Sequence, residues 1–207
     1  MTQTTDNPAN RYGVILADPP WTYSNFKGAE HGAAESAMDV MSVADIAAIP
    51  VGERFAAKDC ILMLWGTWPK LPEALEVMNA WGFRYVTGFP WVKTIPSTGN
   101  ISRGVGFWTM GASEFLFIGR RGKPTRDRGK AQVGLLCGSD NVFYAPRGGR
   151  HSEKPLELHL WIERSLKGPY LELFARRRFP GWSCWGSELG YKLTSQGVTK
   201  MTQDWSF

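Results

Sequence analysis

Hydrophobic positions along the chain fall into short dense runs divided by polar turns. Residues 12–17 (YGVILA) form an apolar run of the buried-strand type, stopped by Asp18-Pro19-Pro20. Residues 60–65 (CILMLW), 85–92, 114–119 (EFLFIG), 141–145 and 170–175 (YLELFA) repeat that type, and 183–185 opens a last short run. Between them Leu71, Leu75 and Met78 recur at helical spacing, with Gly82 where a C-cap belongs. Ser42-Val43-Ala44-Asp45 has the form of a capping box and predicts a short helix through Ile49, ahead of Pro50. Leu156, Leu160, Ile162 and Leu166 predict the apolar face of a further helix, entered through residues 151–155. Apolar strands alternating with amphipathic helices imply an α/β fold, a mostly parallel sheet with helices on both faces. Ligands of such sheets sit beyond the carboxyl ends of the strands, and Asp18 and Arg176 each follow such an end. Residues 22–41, rich in Gly, Ala and Ser, predict a long surface loop of the kind that is usually functional. After Gly190 the chain is polar and unpatterned, so a single domain is expected over 1–190, with 191–207 a partly disordered tail.

Composition narrows the class. With 207 residues, 43% hydrophobic and 21% charged, the chain can build one full core, which excludes a disordered or fibrous protein. The longest apolar run, 60–65, is far too short to span a membrane, and the N-terminus lacks the apolar centre of a signal peptide. Cys60, Cys137 and Cys184 are odd in number and far apart, which fits a reduced, cytoplasmic protein. His31, His151 and His159 share no metal-ligand spacing with them, so no metal is expected. A net charge of +5 with ten tryptophans is compatible with nucleic-acid binding and does not require it.

The sharpest chemical signal is Asp18-Pro19-Pro20-Trp21 directly after a buried strand. Asp-Pro alone marks a turn. The full tetrapeptide carries the parts needed to alkylate an exocyclic amine, whose lone pair is delocalised into its ring. The Asp18 carboxylate can accept one N–H bond and a rigid backbone carbonyl the other, while two prolines fix that backbone and remove its donors. An aromatic ring beside them can stack on an extruded base, worth roughly 1–3 kcal/mol.

ADPPW closely resembles the catalytic motif of amino-group methyltransferases that use S-adenosylmethionine. The chain as a whole resembles the family of the mRNA adenosine N6-methyltransferase catalytic subunit and its bacterial and phage relatives. Trp91-Val92-Lys93-Thr94 is similar to that family's W-V-K-T. Gly106-Phe107-Trp108, Glu114, Gly119 and Gly122-Lys123-Pro124 follow its order G-x-W, E, G, G-x-P. Ser152-Glu153-Lys154-Pro155 resembles its S-H-K-P, Glu172 to Arg176 its E-L-F-G-R, and Pro180, Trp182, Gly186 and Leu189 its closing residues. The resemblance implies a Rossmann-like methyltransferase fold with circularly permuted motif order, the catalytic tetrapeptide first and the cofactor strand last.

The same resemblance implies roles. Asp18 would accept the target amine and lie close to the cofactor, the Pro19 carbonyl (with Pro20 completing the rigid turn) would hold the second amine hydrogen, and Trp21 would pack on the base. Lys154, Glu172, Phe174 and Arg176 would contact S-adenosylmethionine, Glu114 would lie near the target base, and Lys93 is a further candidate for binding substrate. Without the resemblance Lys154 is a solvated lysine, Phe174 a core residue and Arg176 one charge of a basic run. Ser187-Glu188 stand where the family has Asn-Gln, and Arg177-Arg178-Phe179 where it has His-Asn, in a stretch two residues shorter than the eukaryotic pattern. Cofactor contacts are open there.

Residues 119–130 (GRRGKPTRDRGK) hold six basic residues and one acid, so Arg121, Lys123 and Arg126 are either phosphate contacts or a solvated charged loop. The expected activity is methyl transfer to adenine N6, in DNA in the first place, with RNA the alternative polymer. A non-catalytic nucleic-acid-binding relative is the rival class. Oligomeric state stays open, a homodimer included.

Overall fold

A computed structural model describes residues 11–23, 40–106, 108–125, 141–149 and 153–201. The predicted loop at 22–41 therefore lies largely outside the described residues, as do Arg126, His151 and Ser152. Seven strands form one sheet in the order β5-β3-β4-β2-β1-β6-β7. They are β1 (Tyr12–Ala17), β2 (Ala56–Gly66), β3 (Arg84–Thr94), β4 (Ser113–Arg121), β5 (Phe143–Pro146), β6 (Tyr170–Leu173) and β7 (Trp182–Trp185). Strand β4 runs against both neighbours, and every other pairing is parallel.

Each predicted strand exists, and β2 starts earlier than its apolar run, at Ala56, which pairs with Tyr12. Helices α1 (Val43–Ala47) and α2 (Leu71–Ala80) cover one face, with Ile46, Ala74, Val77 and Met78 in a core cluster with Ile15, Leu62 and Leu171. Ser42 caps α1 by accepting the Asp45 N–H at 3.1 Å, and Gly82 ends α2 at φ +78°. Helix α3 (Glu157–Ser165) covers the opposite face, packing Leu158 and Ile162 on Val14, Leu16 and Met63.

Two expectations are corrected. On α3 the buried face is Leu158, Ile162 and Leu166 with His159, whereas Leu156 and Leu160 are exposed. Leu158 and Leu160 sit two residues, about 200°, apart on a helix, so both cannot face the sheet. The chain beyond Gly190 is not frayed through 200: β8 (Tyr191–Thr194) and β9 (Gly197–Lys200) form a hairpin. Its Tyr191 and Leu193 are buried in the α1–α2 core cluster. Among the described residues no helix is long and apolar enough to cross a membrane.

Candidate active site

Strand β1 lies between β2 and β6, so the connections leave it in opposite directions and a crevice opens past its carboxyl end. Asp18 follows β1 directly and Phe174 follows β6. An open cleft of about 1170 Å³ lies there, lined among others by Asp18, Pro20, Phe174, Arg176, Ser187 and Glu188. Phe174 holds φ +61°, a conformation that costs a non-glycine residue about 1–3 kcal/mol and that clusters at ligand sites. Opposite it the hairpin supplies Tyr191, Lys192 and Leu193, and the segment before α1 supplies Val40 and Met41.

Beside the cleft four charges form a chain, with Glu114 buried and Asp18, Lys93 and Lys154 partly so. Lys154 Nζ lies 2.8 Å from Asp18 Oδ2 and 3.2 Å from Glu114 Oε2, and Lys93 Nζ holds Glu114 Oε1 at 2.5 Å. Three strand ends and the α3 approach converge to make it: Asp18 after β1, Lys93 near the end of β3, Glu114 at the start of the reversed β4. The ammonium of Lys154 sits 5.6 Å over the Trp65 ring. Two carboxylates and two ammonium groups balance, which is the condition for burying charge at tolerable cost. Burial pushes the Asp18 carboxyl up, with Lys154 only partly opposing. Burial alone would lower Lys154, but Asp18 and Glu114 outweigh it and hold the ammonium above its usual range. Glu114 would likewise rise on burial, yet Lys154 and Lys93 bring it below the ordinary carboxylate value.

The remaining predicted residues divide. Arg176 lines the cleft with Ser187 and Glu188 and lies 3.8 Å from Glu188. Glu172 does not line it: its carboxylate faces α3 and meets His159 Nε2 at 3.0 Å. Alternation explains this, since Glu172 pairs in register with Leu16 and Cys184, both on the α3 side of the sheet. Trp21 is part of the core wall. It is only 6% exposed and its indole N–H donates to the Trp65 carbonyl at 3.3 Å. The Pro19 carbonyl already accepts the Trp21 N–H at 2.9 Å, leaving one lone pair.

Arg121 and Lys123 lie at the other end of the sheet from this cluster. Arg121 closes β4, seven residues and so about 24 Å along the strand from Glu114. Its guanidinium donates to the Gly52 carbonyl, and the Lys123 backbone N–H to Asp59 at 2.7 Å. These positions serve the sheet margin, and Arg126 falls outside the described residues.

Sequence reasoning missed a further tie. Arg177, in the stretch that stands in place of the family's His-Asn pair, pairs with Glu153 at 2.9 Å and donates to the Lys154 carbonyl. Phe179 stacks on His159 at 4.4 Å. The departures from the family pattern thus fasten the Lys154 segment to the end of β6. No spacing rule reports a contact between residues 24 positions apart. Cys60 is buried and its thiol pushed up to about 12, so it is no nucleophile at neutral pH.

The sequence profile of the MT-A70 family matches residues 12–188. The Mycoplasma type II methyltransferase M.MunI is 30% identical over 88% of this chain and 79% of its own. An Arabidopsis thaliana N(6)-adenosine-methyltransferase MT-A70-like protein is 28% identical over 90% of this chain. The human N(6)-adenine-specific methyltransferase METTL4 is 29% identical over 88% of it. This chain spans a quarter of the Arabidopsis protein (25%) and somewhat over a third of the human one (38%). A profile match from β1 through the cleft-lining Glu188, over a sheet that gathers Asp18, Glu114 and Lys154, establishes that the chain belongs to the MT-A70 family.

Proposed function

We propose that the chain is a methyltransferase that moves a methyl group from S-adenosylmethionine to the N6 amine of adenine in DNA. The observation that carries this reading is the Asp18 carboxylate on the cleft wall, fixed by Lys154, at the switch point of the sheet.

The cleft suits such a cofactor. Its volume of about 1170 Å³ exceeds the space that pockets for drug-sized ligands occupy, roughly 300–1,000 Å³, which leaves room beside it for a base. Its donors and acceptors are mixed, and Phe174 offers an aromatic face. Beside the lining residues Ala175 and Ser187, Gly186 packs so tightly that a Cβ there would lie 2.2 Å from the Ala175 carbonyl oxygen. Phe174, Arg176, Ser187 and Glu188 would hold the cofactor, which supplies a methyl group already activated on a sulfonium.

The protein's own part is positioning and charge. Lys154 occupies Oδ2 of Asp18, so Oδ1 would accept one amine N–H while the second lone pair of the Pro19 carbonyl accepts the other. Two acceptors on the two hydrogens favour a pyramidal nitrogen, whose lone pair is less delocalised into the ring. Positive charge that develops on the nitrogen is met by the Asp18 carboxylate, and the departing N–H proton has an acceptor whose affinity for protons burial has raised. Lys154, kept cationic by its two carboxylates, holds Asp18 in place and stops it from being protonated too early.

DNA is favoured because M.MunI, a relative matched over 88% of this chain and 79% of its own, is named as a type II methyltransferase. The test is transfer of labelled methyl from S-adenosylmethionine to native DNA, heat-denatured DNA and RNA, with products identified by mass spectrometry and Asp18→Ala as control. N6-methyladenine in DNA, lost in the control by roughly the 10²–10³-fold that removal of one preorganised group costs, is the expected result. Label in RNA alone would replace the substrate, and label retained in a folded Asp18→Ala would overturn the mechanism.

A further inference from the structure

A hairpin rises from the cluster itself. Lys93 and Glu114 stand at the base of the connection between β3 and β4, and residues 94–113 contain one arginine and no carboxylate. The connection is ordered by its own backbone. Thr94 bridges Ile101, the Ser102 N–H donates to the Lys93 carbonyl at 2.8 Å, and Gly104 and Gly111 exchange two bonds of 2.8 and 3.0 Å. A Cβ at Gly106 would lie 2.0 Å from the Thr109 carbonyl oxygen, so the tip closes tightly. Trp68 braces the base, donating to Ser113 Oγ at 2.9 Å with its ring edge-on to Phe115.

This firmly built projection carries apolar side chains into water. Trp108 is 99% exposed, Val105 98% and Met110 60%. Single exposed apolar residues are ordinary, but three on one tip beside a reaction centre mark a contact surface. At about 3.3 Å per residue an extended chain puts Gly104 at most roughly 10 Å beyond Ile101, and no described residue of 94–113 lines the cleft. Exposed Arg103 and Arg147 flank it, the latter tied to the Thr94 carbonyl at 3.0 Å. Basic flanks, an apolar point and no carboxylate complement a phosphate-lined duplex whose interior is stacked rings. Trp21, which is walled into the core, cannot take that place.

We propose that this hairpin is a wedge for duplex DNA: Trp108, with Val105, enters the stack beside the target adenine and fills the gap that its extrusion leaves. Side chains of this kind part base steps in other duplex-bending proteins, and a base must leave the helix before its amine can be alkylated. The proposal rests on the adenine-methyltransferase reading, and the experiment keeps the two apart.

Methyl transfer to unmethylated plasmid DNA, native and heat-denatured, is measured for the wild-type chain, Trp108→Ala and Trp108→Phe, with sedimentation of each. The expected result is a ratio of native to denatured rate at least tenfold lower in Trp108→Ala than in wild type, with most of the ratio restored in Trp108→Phe. Because Trp108 is almost wholly exposed, its loss removes no packing, and thermal melting checks this. Equal loss on both forms, no loss on either, or a wild-type dimer that Trp108→Ala converts to monomer would overturn the wedge and leave the methyltransferase standing. A wild-type chain that modifies only denatured DNA has no pair to open, and the wedge falls. Transfer to neither form removes the function and the wedge together.

Discussion

Lys154 holds the cluster together, because it is the only one of the four charges seen to touch both carboxylates. Removing one partner from a buried pair costs about 3–5 kcal/mol, so Lys154→Met is expected to melt well below wild type. Its pH dependence has a definite sign. Glu114 is held below its usual 4.5, so its contribution is present above that value and lost as pH falls through the folded one. Lys154 is held above 10.5, so its contribution is present below that value and lost as pH rises through the folded one. Asp18 is raised above 3.8, so the folded chain keeps a proton that the unfolded chain releases, and ionising it costs stability as pH rises. Without Lys154 that costly window widens upward. The gap in melting temperature between wild type and Lys154→Met should therefore narrow as pH falls below neutral. A gap that widens on acidification would mean that Asp18 is not the group left stranded.

At the scale of elements, the turn after β7 and the C-terminal hairpin define the cleft. Gly186 lies with its Cα against the end of β6, and a Cβ would meet the Ala175 carbonyl oxygen at 2.2 Å and the Ala175 nitrogen at 2.7 Å. Both are backbone atoms that cannot swing aside. Gly186→Ala should cost about 1–3 kcal/mol of stability and weaken S-adenosylmethionine binding, read by thermal melting and calorimetry. Unchanged binding in that variant would place the cofactor away from the β6–β7 ends. Truncation after Gly190 removes Tyr191 and Leu193 from the core and one wall of the cleft. Burial of a side chain of that size is worth about 1.5–3 kcal/mol, so the truncated chain should melt early and lose cofactor affinity. Equal stability of the two forms would show that the hairpin only covers the core.

For the whole molecule, the reversal of β4 decides where charge can work. Glu114 at its start joins the carboxyl ends of the parallel strands, and Arg121 at its end is carried to their amino ends. Basic side chains on the site's side of the sheet include Arg103, Arg147, Arg176 and Lys192. Replacing Arg103 and Arg147 by alanine should reduce the slope of log K on log salt for DNA by about 1–2, as each phosphate contact contributes about 0.9. Replacing Arg121 and Lys123 should leave the slope unchanged. A reversal of those two outcomes in a salt titration would put the duplex on the far edge of the sheet.

What the sequence determined by itself is the seven strands of the main sheet, the three α-helices and the place of Asp18 at a strand end, because these follow from local pattern. Dense apolar runs have one solution in a covered sheet, and a tetrapeptide after such a run needs no distant partner to place it at a strand end. Even the missed hairpin was legible, since Tyr191 and Leu193 alternate with Lys192 ahead of a turn that reverses at Gly197, with φ +105°. Tertiary structure alone decided which way β4 runs, and with it that Glu114 is near Lys154 and Arg121 far from it. It also decided which face Glu172 takes and that Trp21 is a wall. Those are pairings between residues that neither share an element nor follow a period. Their geometry is set by strand order and register, which spacing along one chain does not encode.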